Sequence, residues 1–265
     1  MQQMGTVFWT KVACHRLRRH LEWRLRPLPW AARRGDPRDF PETVAVRTSP
    51  LKRAPDGAIA AYTDEKTHNL KLACDRVNGL VIAPGQVFSF CRLVGRTTRA
   101  RGYLPALELI QGKLRPEVGG GLCQLSNLLF LLAVEVNAEI VERHRHSYDL
   151  FRDVERSVPF GCGATVFYNY VDFQFRNTLD SPIMLNVGVE TEVLRGEVRA
   201  QGSLLFQVRI VETDHRFFRR GGDIIRANRV WRETCWKNSP DSTRELLLTN
   251  ECKVLYPADD LVGGS

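Results

Sequence analysis

A chain of 265 residues with 43% apolar and 26% charged side chains can close one substantial hydrophobic core or two small ones, which excludes disordered, collagen-like and coiled-coil classes. The longest strongly apolar run, Leu128–Val134, falls far short of the roughly 20 residues that cross a bilayer, so no transmembrane helix is expected. The net charge of +8 is concentrated at one end: residues 1–40 hold nine Lys and Arg side chains against three Asp and Glu, leaving +2 for the remainder. A near-neutral body offers no electrostatic footprint for a phosphate backbone, so no nucleic-acid partner is expected.

Residues 11–26, KVACHRLRRHLEWRLR, place Leu17, Leu21 and Leu25 four apart among Arg16, Arg19, Arg24 and Arg26, the pattern of an amphipathic basic helix that Pro27 and Pro29 end. Two roles fit it: an interfacial helix making peripheral contact with anionic membrane, or an ordinary helix packed on the body. The short GTVFWT stretch runs into Lys11 and arginines, unlike a signal peptide, so the chain is expected to be cytoplasmic and at most membrane-peripheral. Seven scattered cysteines, an odd number without CxxC spacing, agree with a reducing compartment. A linker rich in Pro, Gly and charge follows from Pro27 to Gly57. It divides the chain into a basic N-terminal segment and linker, 1–57, and an α+β domain, 58–265.

Further along, Leu70, Ala73, Cys74 and Val77 share one face of a helix predicted over Thr63–Asn78, with Thr63 as N-cap and Gly79 beyond the end. LVIAPGQVFSF reads as strands either side of a Pro84–Gly85 turn, and 92–121 as loops and short strands. Cys123–Val136, Leu-rich and free of Gly and Pro, reads as a second helix. From there the period becomes two: 140–149, 164–177, 183–189, 193–200 and 205–213 read as strands. The expected fold is α+β, an antiparallel sheet packed against the Leu-rich helix, with a basic N-terminal helical segment.

The chemistry concentrates at EVGGGLCQLSNLLF. Gly119, Gly120 and Gly121 lead into Cys123 at the first turn of the helix, where unpaired N–H groups and the positive dipole end favour a thiolate. Such a setting predicts a thiol pKa lowered from its usual 8.5, where only about 3% is thiolate at neutral pH. The same turn supplies amides for an oxyanion hole. A base is then required, and His144 and His146 lie downstream on one face of the predicted strand. Fourteen helical residues span about 21 Å, and seven strand residues from Glu139 span roughly 23 Å, which favours His146 over His144. Metal binding by Cys123, His144 and His146 lacks a fourth ligand at zinc-like spacing, so no metal and no cofactor is expected.

Five ordered blocks, IAPGQVFSF, VGRTTRARGY, GGGLCQLSNLLF, ERHRHSYDLF and PFGCGATVFYNYVDFQFRN, resemble the VanW family, named for an accessory protein of B-type vancomycin-resistance clusters. The resemblance spans about residues 60–235 and implies an association with peptidoglycan or glycopeptide resistance. Longer exported relatives are linked to L,D-transpeptidation with the family cysteine as nucleophile. It matches Cys123 to that cysteine and His146 to the histidine of an HS dipeptide, while His144 falls where relatives carry an aromatic residue and becomes a neighbour. It also implies a turn role for Gln124 and substrate-binding roles for Arg143, His144, Ser147, Tyr148 and Asn169. For Asp172 it suggests either the third member of a Cys–His–Asp set or a strand-end structural carboxylate. Gly163 stands where many long relatives have an aspartate. Two functions remain open: a Cys–His acyl-transferase or amidase acting on a peptidoglycan-like peptide or precursor, and a non-catalytic scaffold that holds such a precursor, or an enzyme, at the membrane surface.

Overall fold

The computed structural model describes residues 6–25, 28–52, 61–110, 112–146, 148–150, 152 and 158–262. Helix α1 spans Thr6–Leu25 and strand β1 Glu42–Pro50. Helix α2, Thr63–Val77, is followed by β2, Leu80–Ile82, β3, Val87–Ser89, and the short α3, Phe90–Val94. A hairpin of β4, Pro105–Ile110, and β5, Lys113–Val118, leads into α4, Cys123–Glu135. Next come β6, Glu139–Glu142, β7, Tyr148–Asp149, β8, Gln174–Arg176, β9, Ile183–Val189, and β10, Val193–Ala200. Three long strands close the chain: β11, Phe206–Arg220, β12, Asp223–Trp236, and β13, Ser242–Val254.

The α+β architecture is the expected one. One sheet has the order β1-β10-β9-β2, a second β11-β12-β13-β7 and a third β3-β8-β6, and every pairing is antiparallel except β7 with β13. Helix α4 is the centre of the core. Leu125, Leu129, Phe130, Leu132 and Val134 are completely buried, the outcome for a helix apolar around most of its circumference. Gly196 on β10 lets it come close, because a Cβ there would stand 2.3 Å from Leu128 Cδ2 and 2.9 Å from Leu132 Cδ1. Phe88, Phe173 and Phe175 pack beside Phe130 with ring centroids 4.9–6.1 Å apart, uniting the third sheet with the helix.

Several expectations change. β1 lies inside the stretch expected to be linker, paired with β10 from Glu42↔Ala200 to Pro50↔Val193. The alternating TVAVRT there is strand sequence that the surrounding prolines and charges conceal. The strand expected over 140–149 is interrupted after Glu142 and resumes only at Tyr148. Similarly, within 164–177 only Gln174–Arg176 forms a strand. Its aromatic residues instead make a tight turn in which the N–H groups of Tyr170 and Val171 donate to Phe167 O, with Asn169 left-handed at φ 52°.

Helix α1 packs on the body by the face opposite to the one its leucines indicate. Val12 is buried, whereas Leu17, Leu21 and Leu25 are 63%, 47% and 76% exposed. Polar anchors decide the orientation. Arg19 makes a two-pronged contact with Glu142 at 2.5 and 2.7 Å, and Arg16 Nε donates to Tyr168 O at 3.2 Å. Trp23 meets the Arg92 guanidinium at 5.0 Å, and Arg92 in turn reaches Trp30 at 4.8 Å. No helix among the described residues is long and apolar enough to cross a membrane.

Candidate active site

A cleft of about 230 Å³ opens between α1, α3, the β4–β5 hairpin and the start of α4. Cys123 and the turn before it form one wall, Glu108 and Glu117 of the hairpin another, and Arg16 and Arg96 contribute positive charge. Alternation along the hairpin places Glu108 and Glu117 on one face. The turn is built by close approach. A Cβ on Gly120 would lie 1.9 Å from Ala106 O, and Gly121 adopts φ +88°. Asn69 of α2, fully buried, clamps this region: its Nδ2 donates to Gly120 O at 3.1 Å and to Leu104 O at 2.9 Å, while its Oδ1 accepts from Leu104 N.

Cys123 is half-buried, with its Sγ 4.0 Å from Val166 O. Burial pushes its thiol up to about 12, and the neighbouring Glu108 charge adds to the rise. The lowered pKa expected from the helix start is therefore corrected: loss of solvation and a nearby carboxylate outweigh the amide dipoles. Glu108 is pushed up to about 7 by burial and then by Glu117, so near neutral pH it is divided between acid and carboxylate.

The amides also differ from expectation. Gly119 N–H donates to Leu104 O at 3.0 Å and Gly120 N–H to Glu117 O at 2.9 Å, so these two are engaged in holding the turn. The N–H groups of Gly121 and Leu122 donate to no acceptor among the described residues, and both residues line the cleft. The available donors thus begin at Gly121, two residues later than the glycine run suggests.

His146 and Asp172 do not join Cys123. His146 is not among the residues lining the cleft; its carbonyl accepts from Cys252 Sγ of β13 at 3.0 Å. The backbone explains this. Arg143 donates to the carbonyls of Gly163 at 2.7 Å and Gly161 at 2.5 Å, and Thr165 N–H donates to His144 O. These bonds draw the chain off the β6 line toward the 161–165 segment and β13, so the reach computed for an unbroken strand does not apply. Asp172, fully buried, accepts from Ser89 Oγ, Cys91 N, Phe173 N and Gln174 Nε2 at 2.6–2.9 Å, which is the structural role and not that of an imidazole partner.

The other expected site residues are also engaged away from the cleft. Gln124 Nε2 donates to Ser49 Oγ at 2.9 Å and Pro50 O at 2.8 Å, binding α4 to the end of β1 and not an oxyanion. His144 Nε2 lies 3.0 Å from Glu142 Oε1, and Asn169 Nδ2 lies 3.1 Å from His20 Nε2 of α1. Tyr148 pairs with Lys253 and packs near Gly112. Ser147 lies outside the described residues. Of the expected site, the structure gathers Cys123, Gly119 and Gly121 in the cleft and adds Glu108, Glu117, Arg16 and Arg96. Alternation in LELI and RPEV could have paired the two glutamates on a hairpin face, but nothing local places that face beside Cys123.

Glu142 holds α1 in position. Burial alone would push its carboxyl up, yet bonds from His144, Arg19 and Asp172 N hold it down to about 2. Its folded pKa lies below the ordinary value near 4.3, so its contribution to stability is present above that value and is lost as pH falls toward 2. Hydrogen exchange followed from pH 5 to pH 2 should show α1 losing protection ahead of α4. Simultaneous loss would show that Glu142 does not govern the docking of α1.

The fold and cleft define an α+β protein that presents a half-buried cysteine at the start of its central helix, opposite a carboxyl pair. The chain belongs to the VanW family: the family model described as VanW like protein matches residues 65–199. It is 30% identical over 243 residues, 88% of each chain, to the vancomycin B-type resistance protein VanW of Enterococcus faecalis, which links its family to vancomycin resistance. It is 36% identical over 123 residues to the Bacillus subtilis protein YoaR, the match covering 45% of this chain and 38% of that one. No solved structure matches significantly.

Proposed function

We propose that the protein is a thiol acyl-transferase acting on cell-wall peptides, with Cys123 as nucleophile and Glu108, not a histidine, as proton carrier. The observation that carries this reading is the presence of a thiol, a carboxyl poised near neutral and unclaimed backbone amides in one cleft. Arg16 and Arg96 in the same cleft suit a substrate that bears carboxylates, as stem peptides do.

The Glu108 carboxylate takes the thiol proton as Cys123 sulfur forms a bond to the amide carbonyl carbon, and the carbonyl electron pair moves to oxygen. The N–H groups of Gly121 and Leu122 bind that oxyanion. On collapse the carbon–nitrogen bond breaks, Glu108 returns the proton to the departing amine, and a thioester remains. An incoming amine or water then gives its proton to Glu108 and attacks the thioester. The departing thiolate recovers the proton from Glu108. A neutral resting thiol is consistent with this scheme, because proton transfer and attack are concerted and no standing thiolate is needed.

A cleft that only binds is the second reading, and the raised thiol pKa is the observation that favours it. Intact mass measurement after incubation with muropeptides separates the two. The enzyme reading expects an acyl adduct on the wild type and none on Cys123→Ala. Muropeptide binding without adduct or product would establish the binding reading instead.

A further inference from the structure

Among the described residues, no element packs over Leu17, Leu21 and Leu25 on the outward face of α1, which has a definite composition. Leu17, Leu21 and Leu25 recur every four residues, the spacing of a single helical ridge, and the ridge is about 12 Å long at 1.5 Å per residue. At 100° per residue, the exposed Cys14 falls on the same ridge, Arg24 along one flank, and Lys11 and Arg18 along the other. Glu22 is the acid on this helix, and Arg18 Nε engages it at 2.8 Å. The opposite face is held to the body by Val12, Arg16, Arg19 and Trp23, so the ridge is displayed by a helix that is already anchored.

We propose that this ridge lies on an anionic membrane surface, the leucines entering the headgroup boundary while Lys11, Arg18 and Arg24 meet lipid phosphates. An apolar ridge flanked by cations is complementary to that surface on both counts, since burial of leucine supplies adhesion and each basic side chain adds attraction to acidic lipid. A second copy of the chain would oppose cations to cations along the same ridge. Docking also has a consequence for the cleft. Arg16, which lines it, projects from the body-facing side of the same helix, so the width of that helix, about 10 Å, would stand between the cleft and the membrane surface. The proposal is independent of the chemistry assigned to Cys123.

Sedimentation of the full chain with vesicles tests it, comparing phosphatidylcholine alone with phosphatidylcholine mixed with phosphatidylglycerol. The expected result is binding to the mixed vesicles, weakened by salt. The double variant Leu17→Glu, Leu21→Glu should bind at least about tenfold more weakly with an unchanged melting temperature, because both side chains already face solvent. Lys11→Gln with Arg24→Gln, which keeps the ridge, should lose about fivefold per charge. Equal sedimentation with both vesicle types, or undiminished binding by the leucine double variant, overturns the proposal. So does light scattering that shows a vesicle-free dimer abolished by that variant, since the ridge would then be covered by another copy.

Discussion

Glu108→Gln is expected to slow acyl transfer by about 10²- to 10⁴-fold, the range for losing a positioned general base, while speeding alkylation of the resting Cys123 thiol. The two changes have opposite sign for one reason. The carboxylate accepts the thiol proton during attack, yet between turnovers its negative charge is one of the two causes that raise the thiol toward about 12. Replacing it by a neutral isostere removes the acceptor and also lowers the barrier to forming thiolate. The pH profile supplies a third readout. With Glu108 pushed up to about 7, wild-type turnover should rise through neutral pH as the carboxylate forms, and the variant's residual turnover should lack that limb. Stability should respond as well. A carboxyl whose folded pKa exceeds its unfolded value near 4.3 makes the wild type lose stability as pH rises from there through about 7, and the Gln variant should escape that loss. Turnover and alkylation falling together would assign Glu108 a purely structural part and sink its role as proton carrier.

Gly120→Ala should destabilise the fold by about 3 kcal/mol, a melting-temperature drop of roughly 6–12 °C, and displace the donors beside Cys123. The added Cβ would lie 1.9 Å from Ala106 O and 3.1 Å from Glu117 O. Both atoms belong to the hairpin backbone, so no side-chain rotation relieves the contact. The hairpin must separate from the turn, and Asn69, which donates to Gly120 O, loses its alignment with Leu104. Gly202→Ala is the natural control, since a Cβ there meets nothing within 4 Å. Equal melting temperatures for the two variants would show that the turn relaxes freely and that the close packing at Gly120 is unimportant.

The elements that sequence reasoning located well are those whose own neighbours settle them. Thr63–Val77 and Cys123–Glu135 form helices within a residue of expectation, and Ile183–Val189 and Val193–Ala200 form strands with the expected bounds. Each is settled by a clear local period or, for Cys123–Glu135, by a Leu-rich run free of Gly and Pro, and Gly79 at φ +75° stops the first helix. The failures share a different cause. Arg143 is drawn to two carbonyls about twenty residues along the chain, and this displaces His146 from the path of a continuous strand. Arg19 finds Glu142 and turns α1 leucine side outward, an orientation that the hydrophobic period left open between packing on the body and lying at an interface.

The sequence by itself determined the α+β class, the central Leu-rich helix, the cysteine at its start and membership of the VanW family, because all of these rest on local period, composition and ordered motifs. Only the tertiary structure decided what faces that cysteine. Glu108 reaches it from a hairpin, Asn69 holds its turn from another helix, and Asp172 bonds to Ser89 and Cys91 and not to a histidine. Solvation and charge at a thiol depend on atoms brought near by packing, and their position in space is not written in the spacing of residues along the chain.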